Sequence, residues 1–162
     1  MPKPSERTAL YSLIVLATTC VLPIVSIALD YSARPGPGLM FFVGKWFVFW
    51  GVGVRLFLAG VSQVLRPAFT ASDILGAKDP GAEKIVVELG YANVALGLAG
   101  LLSLLWPDWV APAGLAGGLF LGLAGLEHAS NADRSAKENV AMATDFLVAA
   151  MVAAYLFSWA TS

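Results

Sequence analysis

Six polar side chains interrupt the apolar stretches of this chain: Arg55, Gln63, Glu88, Asn93, His128 and Asp145. Four of them are ionisable, and an ionisable group at membrane depth is penalised unless it is paired or reached by water. Such residues are candidates for ligand binding or proton transfer. The alternative is a structural ion pair that fixes the arrangement of the helices, and the sequence alone leaves both interpretations open.

Arg55 is the most informative of these residues. Its guanidinium cannot lose its proton, so burial requires a counter-charge. Side chains lean toward the N-terminus of their own helix, which separates Arg55 from Glu88 and leaves Asp145 closer in depth. We therefore predict an ion pair between Arg55 and Asp145. We also expect Glu88, Asn93 and His128 to line one pocket with that pair.

Other chemistries have little support. Glu127 and His128 are adjacent, and neighbouring helical residues point about 100° apart, so they rarely share one metal ion. The chain has a single histidine and a single cysteine, Cys20. This composition excludes bis-histidine haem ligation and an intramolecular disulfide within one chain. There is no Gly-x-Ser-x-Gly motif and no phosphate-binding glycine loop. The sequence predicts no metal site, identifies no catalytic residue, and favours a protein that is not an enzyme by itself.

Five apolar segments carry the polar residues. The chain of 162 residues is 58% hydrophobic and 13% charged, against roughly 25% charged residues in soluble domains. A helix of about 20 apolar residues spans a bilayer, and such runs cover about 9–29, 41–65, 85–105, 110–128 and 139–159. These runs are too long for barrel strands and do not alternate in polarity. The sequence predicts one all-α transmembrane domain over 1–162, a five-helix bundle with a loop over 66–84.

Helix boundaries have recognisable signals. Asp79-Pro80 is typical of an N-cap followed by a proline at the first helical position. Ser135 and Glu138 have the spacing of a capping box. The connection after Trp106 is short, so we predict that the third and fourth helices are antiparallel neighbours.

The basic residues predict an orientation. One side would hold Lys3, Arg7, Arg66, Lys78, Lys84, Arg134 and Lys137, and the other Arg34 and Lys45. By the positive-inside rule, the N-terminus is cytoplasmic and the C-terminus outside. We expect a multi-pass protein of the inner (plasma) membrane whose polar pocket opens to the cytoplasm. A cleaved signal peptide is the less favoured interpretation of the first segment.

Glycine recurs at helical spacing in two segments. The third helix carries Gly90, Gly97 and Gly100, and the fourth carries Gly114, Gly118, Gly122 and Gly125. Small residues allow close approach of helix backbones in membranes. We expect these two helices to pack on each other, with a homo-oligomer contact as the alternative. For the loop over 66–84 we expect a short helix that rests on lipid, rather than a lid over the pocket.

Residues 50–106 resemble DoxX-like membrane proteins. The resemblance lies in Gly53-Val-Arg55-Leu-Phe-Leu-Ala-Gly60, followed by Gln63 and Pro67, and in Glu88-Leu-Gly90…Gly97. It implies that Arg55 and Glu88 belong to a polar core and that the first helix is an addition to a four-helix fold. Some members of that family are subunits of quinone-linked or other membrane redox assemblies. The paired cysteines that thiol exchange would need are missing here.

Three functions remain compatible with the sequence. The first is binding of a quinone-like or other amphipathic molecule as part of a membrane redox complex. The second is a proton-coupled carrier of a small solute, and the third is a structural or assembly subunit. The expected partners are the lipid bilayer and a second copy or a complex subunit. The net charge of −1 gives no sign of nucleic-acid binding.

Overall fold

The computed structural model describes residues 4–34, 36–74 and 79–161. Within these ranges it has five helices long and apolar enough to cross a membrane, and no strand. Three of them are continuous: α3 (Pro80–Leu102), α4 (Val110–Ser130) and α5 (Ala136–Ala160). The predicted all-α fold with five membrane-length helices is confirmed. Lys3 and Lys78, used above for orientation, lie outside the described residues.

The first two helices contain π-helical segments. Helix α1 consists of Pro4–Leu16, the π-helical Ala17–Val21 and Leu22–Ala33. Helix α2 consists of Leu39–Trp46, the π-helical Phe47–Val54 and Arg55–Leu65. A π-helical insertion changes the face that the following residues present, and such insertions are frequent at functional sites. Arg55 is the first residue after the insertion in α2.

Both predicted N-caps are confirmed. Asp79 Oδ1 accepts a hydrogen bond of 2.9 Å from the amide of Gly81, and Ser135 Oγ accepts one of 3.2 Å from the amide of Glu138. The caps satisfy amides that have no partner within the first turn. Helix α3 therefore starts at Pro80, about one turn before the apolar run that identified it in the sequence.

The central segment of α2 organises the bundle. Phe47–Val54 contacts all four of the other membrane-length helices, and its Val48 and Val52 are fully buried. The same core contains Val148 and Val152 of α5. Beyond this core, α2 packs along α3 and α4 packs along α5, whereas α3 and α4 contact each other much less.

The regularly spaced glycines of α3 and α4, here called the glycine stripes, allow close packing within these two helix pairs. A Cβ on Gly53 of α2 would lie 2.8 Å from the carbonyl carbon of Gly100, and one on Gly60 would lie 2.6 Å from the carbonyl oxygen of Gly90. In α4, a Cβ on Gly118 would lie 2.9 Å from Val152 of α5. The stripes do pack within the chain, but the prediction that α3 and α4 use them against each other is wrong. The short connection between α3 and α4 keeps only their ends close together. The glycine faces of α3 and α4 instead pack against α2 and α5, respectively.

An ion cluster ties α1 to α2 at one end of the bundle. Asp30, which is 8% exposed, lies 2.6 Å from Lys45 Nζ and 2.7 Å from Arg34 Nη2, and it accepts a hydrogen bond of 3.1 Å from Trp46 Nε1. Since successive helices cross the bundle in alternate directions, the start of α1 lies at the opposite end, with the ends of α2 and α4 and the starts of α3 and α5. We call that opposite end the N-terminal face.

Candidate functional site

The predicted ion pair between Arg55 and Asp145 is confirmed. Arg55 Nη2 lies 2.5 Å from Asp145 Oδ1, and the two side chains are 10% and 4% exposed. Each residue lies nine to ten residues from the helix end at the N-terminal face, or roughly 15 Å at 1.5 Å per residue. Similar depth on α2 and α5 is what allows the two charges to meet.

His128 connects this pair to the N-terminal face. It lies near the end of α4, with Nδ1 3.3 Å from Glu138 Oε1 and Nε2 3.9 Å from Asp145 Oδ2. Glu138 and Asp145 are seven residues apart on α5, so they share one face of the helix two turns apart. Glu138 Oε1 also accepts a hydrogen bond of 3.0 Å from Asn131. The imidazole therefore lies between two buried carboxylates, Glu138 near the N-terminal face and Asp145 about two turns deeper.

Gln63 and Asn93 form a second buried polar pair. Asn93 Nδ2 donates a hydrogen bond of 2.7 Å to Gln63 Oε1, and the residues are 4% and 9% exposed, respectively. This contact joins α2 to α3. Asn93 and Gln63 line the same cavity as Arg55, Asp145 and His128. The structure thus brings together five of the six polar residues that the sequence singled out.

Glu88 is the exception, and its predicted place in the pocket is wrong. Its side chain is exposed, and it does not line the cavity. The buried face of α3 contains Val86, Gly90 and Asn93. Glu88 is two residues from Val86 and from Gly90, which places it about 200° around the helix from each of them. The depth of Glu88 along the helix axis is compatible with the pocket, but the rotation of α3 about its axis points Glu88 away from it.

The cavity measures about 420 Å³ and is mostly apolar. All five membrane-length helices contribute to its wall, together with the segment that follows α2. Besides the polar residues described above, the wall includes Tyr11 and Thr18 of α1, Leu56 of α2, and Phe120 and Leu121 of α4. A cavity of this size and character resembles a small-molecule site, for which about 300–1,000 Å³ is usual.

Three buried polar atoms in the cavity wall residues lack hydrogen-bond partners among the described residues: Arg55 Nη1, Asn93 Oδ1 and Asp145 Oδ1. The Asp145 oxygen lies 2.5 Å from Arg55 Nη2, so the ion pair compensates its charge. A buried polar group without a partner is penalised by about 1–3 kcal/mol. Arg55 Nη1 and Asn93 Oδ1 are therefore available to a ligand in the cavity, whereas Asp145 Oδ1 is engaged by Arg55.

Between α1 and α2, the cavity wall includes exposed side chains. The first segment of α1, Pro4–Leu16, packs mainly on α5 and makes little contact with Arg55–Leu65 of α2. Two exposed side chains line the cavity at this gap, Ile14 at 43% and Leu58 at 47% exposure. The cavity wall is therefore partly exposed between α1 and the second half of α2.

The described part of the segment after α2, residues 66–74, lies against the cavity. From the sequence we had expected the loop over 66–84 to rest on lipid. It contains a π-helical turn, Phe69–Ile74. Phe69 and Thr70 line the cavity, and Thr70 is 5% exposed. Lys137 Nζ of α5 lies 4.8 Å from the centre of the Phe69 ring, a cation–π contact that ties the segment to α5. Among the described residues, the segment thus contributes to the cavity wall, which favours the alternative interpretation of the loop as a cover.

Sequence reasoning missed Glu138 and Tyr11 as members of the site. Glu138 was accounted for as part of a capping box, and nothing in its spacing indicated a contact with His128. Tyr11 lies in the apolar run 9–29, which contains no charged residue and therefore gave no sign of a polar site. Within the described part of the chain, no group of three or more His, Cys, Asp or Glu side chains is arranged to hold a metal ion.

Comparison with known proteins identifies a family. Searches of the curated proteins and of the solved structures found no match to this chain. One family model matches residues 9–162, nearly the whole chain and all five helices, and it is described as a family of unknown function, DUF6790. The chain with the Arg55–Asp145–His128 site belongs to the DUF6790 family.

Proposed function

We propose that this protein binds a small amphipathic molecule of the quinone-like class within the membrane, as a component of a membrane redox complex. The head group lies at Arg55, and the apolar part lies among the side chains of α1, α2 and α4. The observation that carries the proposal is the presence of unpartnered buried polar atoms in a mostly apolar cavity. The redox setting draws on the resemblance to DoxX-like proteins.

The unpartnered atoms define what a head group must offer. Arg55 Nη1 is a donor and needs an oxygen, whereas Asn93 Oδ1 is an acceptor and needs a hydroxyl or N–H. A quinone carbonyl satisfies Arg55, and a quinol can satisfy both because its hydroxyls donate and accept. The gap between α1 and α2 supports arrival of the molecule from the bilayer.

A proton-coupled carrier is the second candidate function. The contacts of His128 with both Glu138 and Asp145 favour it, because an imidazole can accept a proton on one ring nitrogen and release one from the other. In that function the same cavity would hold the transported solute.

Retention of decylubiquinone and decylubiquinol by the protein in lipid nanodiscs tests the proposal. We expect both to be retained above the level of empty nanodiscs, with the quinol held more tightly. Ala124 lines the cavity, so Ala124→Phe should fill it and weaken retention at least about tenfold, equivalent to about 1.4 kcal/mol.

Ala153→Phe is the matched control, because Ala153 is exposed on α5 and lies outside this cavity. It should retain both compounds like the wild type. Equal retention by wild type and Ala124→Phe would show that the compounds dissolve in the lipid or bind elsewhere, and the proposal would be abandoned.

A further inference from the structure

Among the described residues, Arg55 has one buried counter-charge, Asp145, and Asp145 also lies near His128. Asp145 presents Oδ1 to Arg55 Nη2 at 2.5 Å and Oδ2 to His128 Nε2 at 3.9 Å. The second contact is longer than a hydrogen bond, and it is an attraction between charges only when the imidazole is protonated. The Asp145 carboxylate therefore lies between Arg55, which is always positively charged, and His128, which is positively charged only when it is protonated.

Charge balance limits what can bind beside Arg55. A neutral head group leaves the pair with Asp145 intact. An anionic head group adds a second negative charge to one guanidinium in a site where an uncompensated buried charge is strongly penalised. Such a head group can bind well only if another positive charge arrives with it.

His128 is placed to supply that charge. Its Nδ1 faces Glu138 Oε1 at 3.3 Å, and its Nε2 faces Asp145 Oδ2, so both ring N–H groups of an imidazolium would point at carboxylates. Glu138 lies in the first turn of α5, toward the N-terminal face, and is 5% exposed. The His128 side chain is 15% exposed, intermediate between the surface and Asp145.

We propose that the cavity takes up an amphipathic anion together with one proton. The anionic head replaces Asp145 as the partner of Arg55, and the proton converts His128 to an imidazolium that becomes the partner of Asp145. The proton comes from water at the N-terminal face and forms one N–H bond on the ring. No bond of the ligand is made or broken, and the net charge of the site is unchanged.

Other ionisable groups around His128 and Asp145 come from all five helices and from the connection before α5. Helix α1 contributes Tyr11, which lines the cavity, and α2 contributes Arg55. The connection before α5 contributes Arg134, whose Nη1 donates a hydrogen bond of 3.4 Å to the carbonyl of His128. Glu127 of α4 and Glu88 of α3 are exposed and face away, and Lys137 of α5 contacts the Phe69 ring.

This inference rests on the proposed function and adds the charge of the head group. Within the quinone-like class it selects molecules with an ionised group, such as a hydroxyquinone whose hydroxyl has lost its proton. A neutral quinone would bind without a change in protonation.

Decanesulfonate and decanol form a suitable probe pair, since they share a chain length and only the first is charged. A sulfonate stays ionised throughout the usable pH range, so any proton taken up belongs to the protein. Calorimetric titration in two buffers with different ionisation enthalpies measures that uptake in nanodiscs. We expect up to one proton per decanesulfonate, an affinity that rises by up to about tenfold per unit decrease in pH, and no proton uptake with decanol.

The single histidine of the chain provides an independent readout. In protein purified through a tag without histidine and labelled with ¹⁵N-histidine, decanesulfonate should shift the ring signals of His128 to those of an imidazolium. Decanol should leave them unchanged.

Three variants separate the roles. His128→Gln keeps the Arg55–Asp145 pair, and it should lose the proton uptake and bind decanesulfonate more weakly. Asp145→Asn leaves Arg55 without a partner, so decanesulfonate should bind it tightly, without proton uptake, and should raise its folded yield. Glu127→Gln changes an exposed neighbour of His128 and should behave like the wild type.

The outcomes distinguish this inference from the proposed function. Binding of decanesulfonate without proton uptake, or equal pH dependence for decanol, overturns the inference alone. Retention of decylubiquinol with no binding of decanesulfonate also overturns it and leaves the proposed function standing. If wild type retains none of the four compounds above the level of empty nanodiscs, both are wrong.

Discussion

Asp145 is the residue on which the polar site depends. It contacts a cation from α2 and an imidazole from α4, and it is itself 3% exposed. Replacing one member of a buried ion pair leaves the other charge uncompensated, which destabilises by about 3–5 kcal/mol, whereas removing both members is often tolerated. The interaction can therefore be measured by comparing single and double variants.

We predict that Asp145→Asn lowers the thermal stability in detergent more than the double variant Arg55→Gln/Asp145→Asn does. The reason is the stranded guanidinium of Arg55 in the single variant. The measurement is a double-mutant cycle, in which circular dichroism melting curves are recorded for the wild type, Arg55→Gln, Asp145→Asn and the double variant. Strictly additive losses would mean that the two side chains do not interact.

Glu88→Gln is the control for loss of an acidic residue. Its side chain is exposed on α3, away from the cavity, so we expect a change within about 0.5 kcal/mol of wild type. A large loss there would indicate that Glu88 does have a buried role.

At the scale of elements, the contact between α2 and α3 brings the two helix backbones directly against each other. Gly53 meets Gly100, Gly60 meets Gly90, and a Cβ on Gly97 would overlap the backbone nitrogen of Phe57. Backbone atoms on both sides leave no flexible side chain to yield. This contact places Asn93 of α3 against Gln63 of α2 and so forms one wall of the cavity.

We predict that Gly97→Ala destabilises the protein in detergent, because the two backbones must separate to admit the methyl group. Overpacking of this kind typically costs about 1–3 kcal/mol. The matched control is Gly122→Ala on α4, where the new Cβ would lie at an ordinary 3.5 Å from Ala149 Cβ. Comparable melting temperatures for the two variants would contradict the close α2–α3 contact.

At the scale of the whole molecule, five membrane-length helices place the two termini on opposite sides if each crosses the bilayer. The cavity and the Glu138–His128 contact lie toward the N-terminal face. Which side of the membrane this face occupies decides where the proton in our inference comes from. The surplus of basic residues predicts the cytoplasm.

Reporter fusions test this orientation. We expect an alkaline phosphatase fusion after Ser162 to be active and one truncated after Asp133 to be inactive, because phosphatase requires the outer side. A green fluorescent protein series at the same positions should give the opposite pattern. A cytoplasmic signal at Ser162 would overturn the predicted topology.

Much of this architecture could be predicted from the sequence because it depends on distance along the chain. Composition and run length determined the membrane class and the five helices, since the bilayer requires about 20 apolar residues per helix. Asp79 and Ser135 were recognisable as caps because capping is local. The Arg55–Asp145 pair was predictable because depth follows from residue count at a constant rise.

Only the tertiary structure decided which face each helix turns inward. Glu88 had a suitable depth but lies on the outer face of α3, and Glu138 proved to face His128 as well as capping α5. The glycine stripes indicated close packing without naming the partner helix. Helix rotation and pairing result from the packing of side chains from all five helices at once, and the π-helical segments of α1 and α2 shift the faces further. Neither the rotation of a helix nor the choice of its partner is encoded in the residue spacing within that single helix.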